Sequence, residues 1–176
     1  MENNKISWQY IAGYFDGEGC LTFNIGQGRK DKTKGNQIDG WGIHPILTIE
    51  TCDYEVIERI KKFLIAHNIH FNYYKRRDEH YLRKRIDRIY LHGENIKKFI
   101  KNILPFSIGK YPQLKLYQQF LKIKDTGWEK SRRGKRIWTK KNFIKAIKIV
   151  EKLDSYKKCH RRKLTSNYFK NLWNIK

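Results

Sequence analysis

Two acidic side chains, Asp16 and Glu18, alternate with glycines at the end of the run Ile11-Ala12-Gly13-Tyr14-Phe15-Asp16-Gly17-Glu18-Gly19. The residues before them read as a helix over 7–16. Ser7 is a good N-cap, and Trp8, Ile11, Ala12, Tyr14 and Phe15 supply apolar contacts over three turns before Gly17 and Gly19 stop it. Acids at a helix C-terminus are unfavourable by themselves, because the last carbonyls already present partial negative charge. The same arrangement suits a hard cation, which takes carboxylate and carbonyl oxygens together. Ala12 and Gly13 are small residues in mid-helix, where glycine costs about 1 kcal/mol against alanine. That cost makes sense where another backbone approaches closely. The nonapeptide therefore reads as a helix-packing face that ends in an acidic, metal-binding turn.

The elements that must position this turn follow a repeating pattern. Leu21, Phe23 and Ile25 alternate with Thr22, Asn24 and Gly26, the period-two mark of a half-buried strand. A glycine-rich polar loop over 26–42 carries Arg29, Lys30, Lys32 and Lys34, and a second alternating strand over 43–50 completes a hairpin with a long tip. Asp53 caps a second helix to about His67, with Val56, Ile57, Ile60, Phe63 and Leu64 on one face. The pattern then recurs as strands over 71–76 and 85–92 and a helix over 94–104. The order αββαββα predicts an α+β fold in which a four-stranded antiparallel sheet carries helices on one face. Beyond Pro105, helices are expected over 113–124, 140–153 and 165–173, with a basic loop over 128–136. No change of composition marks a linker. Residues 1–176 are expected to form one domain, with the core in 7–104 and C-terminal helices and basic loops in 105–176.

Charge is unevenly placed along the 176 residues. Lys and Arg number 39 against 17 Asp and Glu, a net +22. Residues 1–60 hold 6 basic and 9 acidic side chains, whereas 61–176 hold 33 and 8. So strong a positive balance needs a polyanionic partner to offset self-repulsion. Aromatic residues at 14% and apolar residues at 39% mean that the chain folds rather than staying disordered. Cys20, Cys52 and Cys159 form no C-x-x-C spacing and no paired framework, which argues against a disulfide scaffold or a cysteine zinc site. His67 and His70 lack a third clustered ligand, so a histidine zinc site is not expected either. No apolar run approaches the ~18 residues of a membrane span. Met1-Glu2-Asn3-Asn4 lacks the regions of a signal peptide, so an intracellular protein with no membrane partner is expected.

The nonapeptide resembles the LAGLIDADG motif, and the element order with its trailing helices is similar to that of the homing endonucleases of the same family. Ala12, Gly13, Asp16 and Gly19 match letter for letter. Ile11, Tyr14 and Phe15 are apolar replacements, Gly17 replaces alanine, and Glu18 replaces the second aspartate. The motif occurs once, in a chain about half the length of two-motif members. That implies a homodimer whose motif helices pack at the dyad through Ala12 and Gly13. The resemblance implies an intron-encoded endonuclease that cuts both strands of a long, near-palindromic DNA target. It makes Glu18 the carboxylate that binds a divalent metal, with the carbonyl of Gly17 as a second ligand and Asp16 as a supporting acid of the catalytic set. The two Glu18 side chains, one per subunit, would each serve one strand. Mg²⁺ is the expected ion, with Mn²⁺ as a substitute. Such ions activate water and stabilise the attacking and leaving oxygens.

The family also places a lysine near the scissile phosphate. The run Phe106-Ser107-Ile108-Gly109-Lys110-Tyr111-Pro112-Gln113-Leu114 resembles that region, which makes Lys110 the catalytic lysine and Lys115 the alternative. The family's glutamine at the exit of the second strand has no identical match; Thr51 falls nearest, with Glu50 beside it. Two other activities occur with this fold: an RNA maturase that binds intron RNA, and a non-cleaving DNA-binding regulator. Intact Asp16 and Glu18 favour cleavage.

In this family a concave, saddle-like sheet lies along the major groove. With Leu21, Phe23 and Ile25 facing the core, Thr22 and Asn24 face the groove, joined by Gln27, Arg29 and Lys30. His44 and Thr48 on the second strand, Asn72, Tyr74 and Arg76 on the third, and Arg88 and Tyr90 on the fourth are expected to point the same way. Arg suits guanine, and Asn or Gln suits adenine. Lys32, Lys34, Lys130, Arg132, Arg133, Lys135, Arg136, Arg161, Arg162 and Lys163 are expected to grip phosphates.

Overall fold

Ser7 starts the first helix as its position predicts. In the computed structural model, which describes residues 6–27, 40–76, 86–130, 136–157 and 163–175, the Ser7 hydroxyl accepts the amide of Tyr10 at 3.2 Å. The elements run α1 (Trp8–Glu18), β1 (Gly19–Gln27), β2 (Trp41–Thr51), α2 (Tyr54–Ala66), β3 (Asn72–Arg76), β4 (Ile86–Leu91), α3 (Glu94–Ile103), α4 (Tyr111–Thr126), β5 (Trp128–Lys130), β6 (Arg136–Trp138), α5 (Lys140–Asp154) and α6 (Ser166–Leu172). The αββαββα order and the α+β class stand. β1 to β4 form a four-stranded sheet in the order β1-β2-β4-β3. β4 pairs antiparallel with β2 on one side and β3 on the other, setting Thr48 and Asn72 opposite Tyr90, and Glu50 and Tyr74 opposite Arg88.

Apart from shifts of one or two residues at other element ends, three departures from the sequence reading stand out. α1 runs through Gly17 to Glu18 and ends where the Gly19 amide donates to the carbonyl of Phe15. α4 begins at Tyr111 rather than 113, because proline is tolerated in a first turn, where its missing N–H is not needed. The expected basic loop over 128–136 is flanked by a short antiparallel pair, with Trp128 opposite Trp138 and Lys130 opposite Arg136.

The chain divides into two compact units, Met1–Thr22 with Pro45–Leu114 and Phe23–His44 with Lys115–Lys176. In the first, Ile11, Ala12 and Phe15 of α1 are buried with Ile57, Ile60 and Leu64 of α2 and Ile96, Phe99 and Ile100 of α3. Trp8 packs edge-on against Phe63 at 4.8 Å, and Phe15 does the same against Phe99 at 5.5 Å. The second unit is built on aromatic packing. Phe23 stacks on Tyr117 at 4.6 Å, and Phe143, Phe169 and Trp173 pack together at 4.9–5.3 Å. Among the described residues no helix is long and apolar enough to cross a membrane.

Candidate active site

The last turn of α1 presents its carboxylates to different surroundings. Glu18, the final helical residue, is exposed, and so is Gly17 before it. A β-carbon added at Gly17 or Gly13 would meet nothing within 4 Å among the described residues, so their packing requires glycine at neither position. Gly19 is the opposite case. A β-carbon there would lie 2.1 Å from the Phe15 ring, which fixes glycine at the helix exit. Ala12 is fully buried in its own unit, which corrects the expectation that it faces a dyad. Residues 12 and 13 point about 100° apart around the helix, and only Gly13 lies on the open side.

Asp16 is saturated. One carboxylate oxygen accepts the Ser107 hydroxyl at 2.5 Å and the Lys110 amide at 3.0 Å; the other accepts the amides of Ile108 at 2.7 Å and Gly109 at 2.9 Å. Partial burial pushes its pKa up. The Ser107 hydroxyl and the three amides outweigh that and hold the carboxyl below its ordinary range. Asp16 thus ties the end of α1 to the turn that leads into α4, and a carboxylate with four donors has no oxygen to offer a substrate. Both oxygens are therefore taken up within the fold, which corrects the expectation that Asp16 is a supporting acid of the catalytic set. Lys110 completes a reciprocal clasp, because its ammonium donates to the backbone carbonyl of Asp16. This puts a cation two residues before Glu18, at the end of α1 where helix carbonyls lack partners. Lys115 is an exposed residue of α4 in the second unit.

Glu18 lines a cleft of about 450 Å³ with Glu50, Thr51, Cys52, Asp53 and Ile86. Two of these groups are committed to local structure. Asp53 caps α2 through the Val56 amide at 3.1 Å, and the Thr51 hydroxyl accepts the Asp53 amide at 3.0 Å. Tyr14, one turn before Glu18, also hydrogen-bonds the Thr51 side chain; burial nonetheless raises the phenol above its ordinary range, assisted by the nearby Glu18 charge. The expectation that Tyr14 is only an apolar replacement missed this link. Glu50 was legible as an outward residue of an alternating strand, but its place in the cleft depends on strand register. Among the described residues no three His, Cys, Asp or Glu groups converge to enclose a metal. The chemistry of the Glu18 carboxylate and Gly17 carbonyl fits an oxygen-seeking ion such as Mg²⁺, which usually keeps several waters and takes substrate phosphate oxygens for its other positions.

On β2 to β4 the outward positions form cross-strand rows. Arg88 bridges Glu50, at 2.7 Å, and the Tyr90 hydroxyl, at 2.6 Å, and these bonds raise a guanidinium pKa that was already high. Tyr74 stands edge-on to Tyr90 at 5.2 Å, and Asn72 is exposed. Thr48 is 5% exposed, which corrects its expected role at the surface. It lies on a central strand, with Tyr90 opposite it on β4. In the second unit Asn24, Gln27, His44 and Lys163 are exposed, as expected for surface contacts; Thr22, at the end of the first unit's opening stretch, is half-buried. Partial desolvation of the ring, with help from the charge of Lys124, lowers the His44 pKa and favours its neutral form. Arg76, Lys130 and Arg136 are placed as strand positions only. Arg29, Lys30, Lys32, Lys34, Arg132, Arg133, Lys135, Arg161 and Arg162 lie outside the described residues.

The sequence matches no protein-family model and no curated protein. Its likeness is to solved structures. The homing endonuclease I-CvuI, solved in complex with the I-CreI target, superposes with a TM-score of 0.70 at 16% identity, over 95% of this chain and 92% of that one. The archaeal intron-encoded homing endonuclease I-Vdi141I, complexed with DNA, gives 0.69 at 16% identity over 96% and 97%. The LAGLIDADG homing endonuclease I-LtrWI, bound to target DNA, gives 0.62 at 15% identity, over 86% of this chain but 45% of that one. The chain has the fold of the LAGLIDADG homing endonucleases.

Proposed function

We propose that the protein is a site-specific DNA endonuclease that acts as a homodimer and uses Mg²⁺ to cut both strands of a long, near-palindromic duplex. One observation carries this reading: an exposed Glu18 at the end of a helix whose exit is clasped by Asp16 and Lys110, beside glycines open to another molecule. The similar structures hold DNA. The chain matches nearly all of I-Vdi141I but less than half of I-LtrWI, as expected if a second copy supplies what a longer relative carries in one chain.

The residues divide the work. Glu18 and the Gly17 carbonyl hold the divalent ion. When bound, that ion supplies an activated water and offsets charge on the attacking and leaving oxygens of an in-line displacement. Asp16 fixes the end of the helix, so the Glu18 carboxylate is presented without reorganisation. Lys110 uses one of its ammonium donors on α1 and turns the others to a phosphate oxygen. Gly13 and Gly17 let the partner's α1 approach at the dyad, one Glu18 serving each strand. Asn24, Gln27, His44, Asn72, Tyr74, Arg88 and Tyr90 read base edges, while the cations concentrated in 61–176 neutralise phosphates.

Incubation with a library of long randomised duplexes in Mg²⁺ tests the reading. Sequenced ends from a restricted set of near-palindromic sites are expected, and Glu18→Gln should abolish cutting while retaining binding. Cutting retained by Glu18→Gln removes the metal assignment; binding by the native chain without cutting leaves a regulator of the same fold.

A further inference from the structure

Arg88 alternates with the buried Asp87 and Ile89 along β4, so it stands on the outward face of the sheet. Two of its nitrogens are held from opposite sides: one Nη donates to Glu50 Oε2 and the other to the Tyr90 hydroxyl, while Nε is buried and has no hydrogen-bond partner among the described residues. Each terminal nitrogen keeps a second N–H. The Arg88 and Glu50 side chains remain 30% and 35% exposed, and ion pairs this open contribute about 0–1 kcal/mol to stability. Folding alone therefore gives little reason for the arrangement. Binding gives a better one. A free arginine loses side-chain freedom when it reaches a base, and a guanidinium already fixed by two partners loses much less.

Glu50 also lines the cleft that holds Glu18, so the base pair met by Arg88 lies near the cut rather than at the outer end of the target. We infer that Glu50 is a positioning residue that orients Arg88 toward a guanine in the central part of each half-site. This rests on the nuclease reading above. Arginine is the side chain suited to guanine O6 and N7. Glu50 acts through Arg88, because its Oε2 is committed to the guanidinium.

The experiment compares the native chain with Glu50→Gln, Glu50→Ala, Arg88→Ala and the double variant Glu50→Ala/Arg88→Ala. Each selects from a randomised duplex library, once for binding and once for cleavage in Mg²⁺. Arg88→Ala should lower the guanine preference at one position of each half-site by about tenfold. Glu50→Ala should flatten that same position, the double variant should be no flatter than Arg88→Ala, and Glu50→Gln should keep part of the preference because it still accepts a hydrogen bond. A residue needed only for folding would weaken every position alike. An unchanged profile for both Glu50 variants, a uniform loss, or flattening at different positions for Glu50 and Arg88 overturns the inference while leaving the nuclease reading intact. Enrichment of no duplex by the native chain overturns both.

Discussion

Asp16 and Glu18 are two residues apart, yet the fold gives them unlike surroundings, and the difference is chemical. Asp16 spends its oxygens on four donors, so Asp16→Asn should destabilise the chain by about 2 kcal/mol, by leaving amides of the following turn poorly paired. A carboxylate with a depressed folded pKa contributes stability that is fully present above its unfolded pKa of about 3.9 and is lost as pH falls through the folded value. The gap in denaturant stability between native and Asp16→Asn chains should therefore be full at neutral pH and shrink below about pH 4; a gap independent of pH would exclude the clasp. The pairing of two acids with glycines was legible in the sequence, and Lys110 stood out there too, although its contact with the end of α1 did not. Which acid was tied up was not, because the donors that saturate Asp16 lie 91 to 94 residues away. Thr48 was misread for a related reason: alternation gives a residue's face, but its exposure depends on what the neighbouring strands set beside it.

Helix α1 carries glycines with opposite requirements. Gly19→Ala drives a β-carbon into the Phe15 ring and should lower chain stability by about 1–3 kcal/mol, measured by urea unfolding. Gly13→Leu meets open space, so it should leave the protomer folded while weakening self-association, seen by sedimentation; a stable dimer of that variant would move the interface elsewhere. The order of the first seven elements was legible because apolar periodicity marks them and Ser7 and Asp53 cap the first two helices. The β5–β6 pair was not, since three-residue strands within a basic stretch carry too little alternation to register. Pairing across β2 and β4 was equally hidden, and with it the approach of Glu50 to Arg88.

For the whole molecule, on the proposed nuclease reading, the net charge of +22 and its concentration in 61–176 predict that phosphate neutralisation is the main source of affinity. The association constant for duplex DNA should fall about a thousandfold or more between roughly 50 and 200 mM salt, and a flat response would rule out a phosphate-dominated interface. This asymmetry could be read directly, whereas the division into two units could not, because each unit joins stretches far apart in sequence. The most direct measurement uses a mixed dimer, one native subunit paired through separate affinity tags with one Glu18→Gln subunit, on a duplex obtained by selection. With one Glu18 serving each strand, the mixed dimer should nick a single strand and leave the other whole, while the native dimer breaks both. A double-strand break made by the mixed dimer would contradict the account.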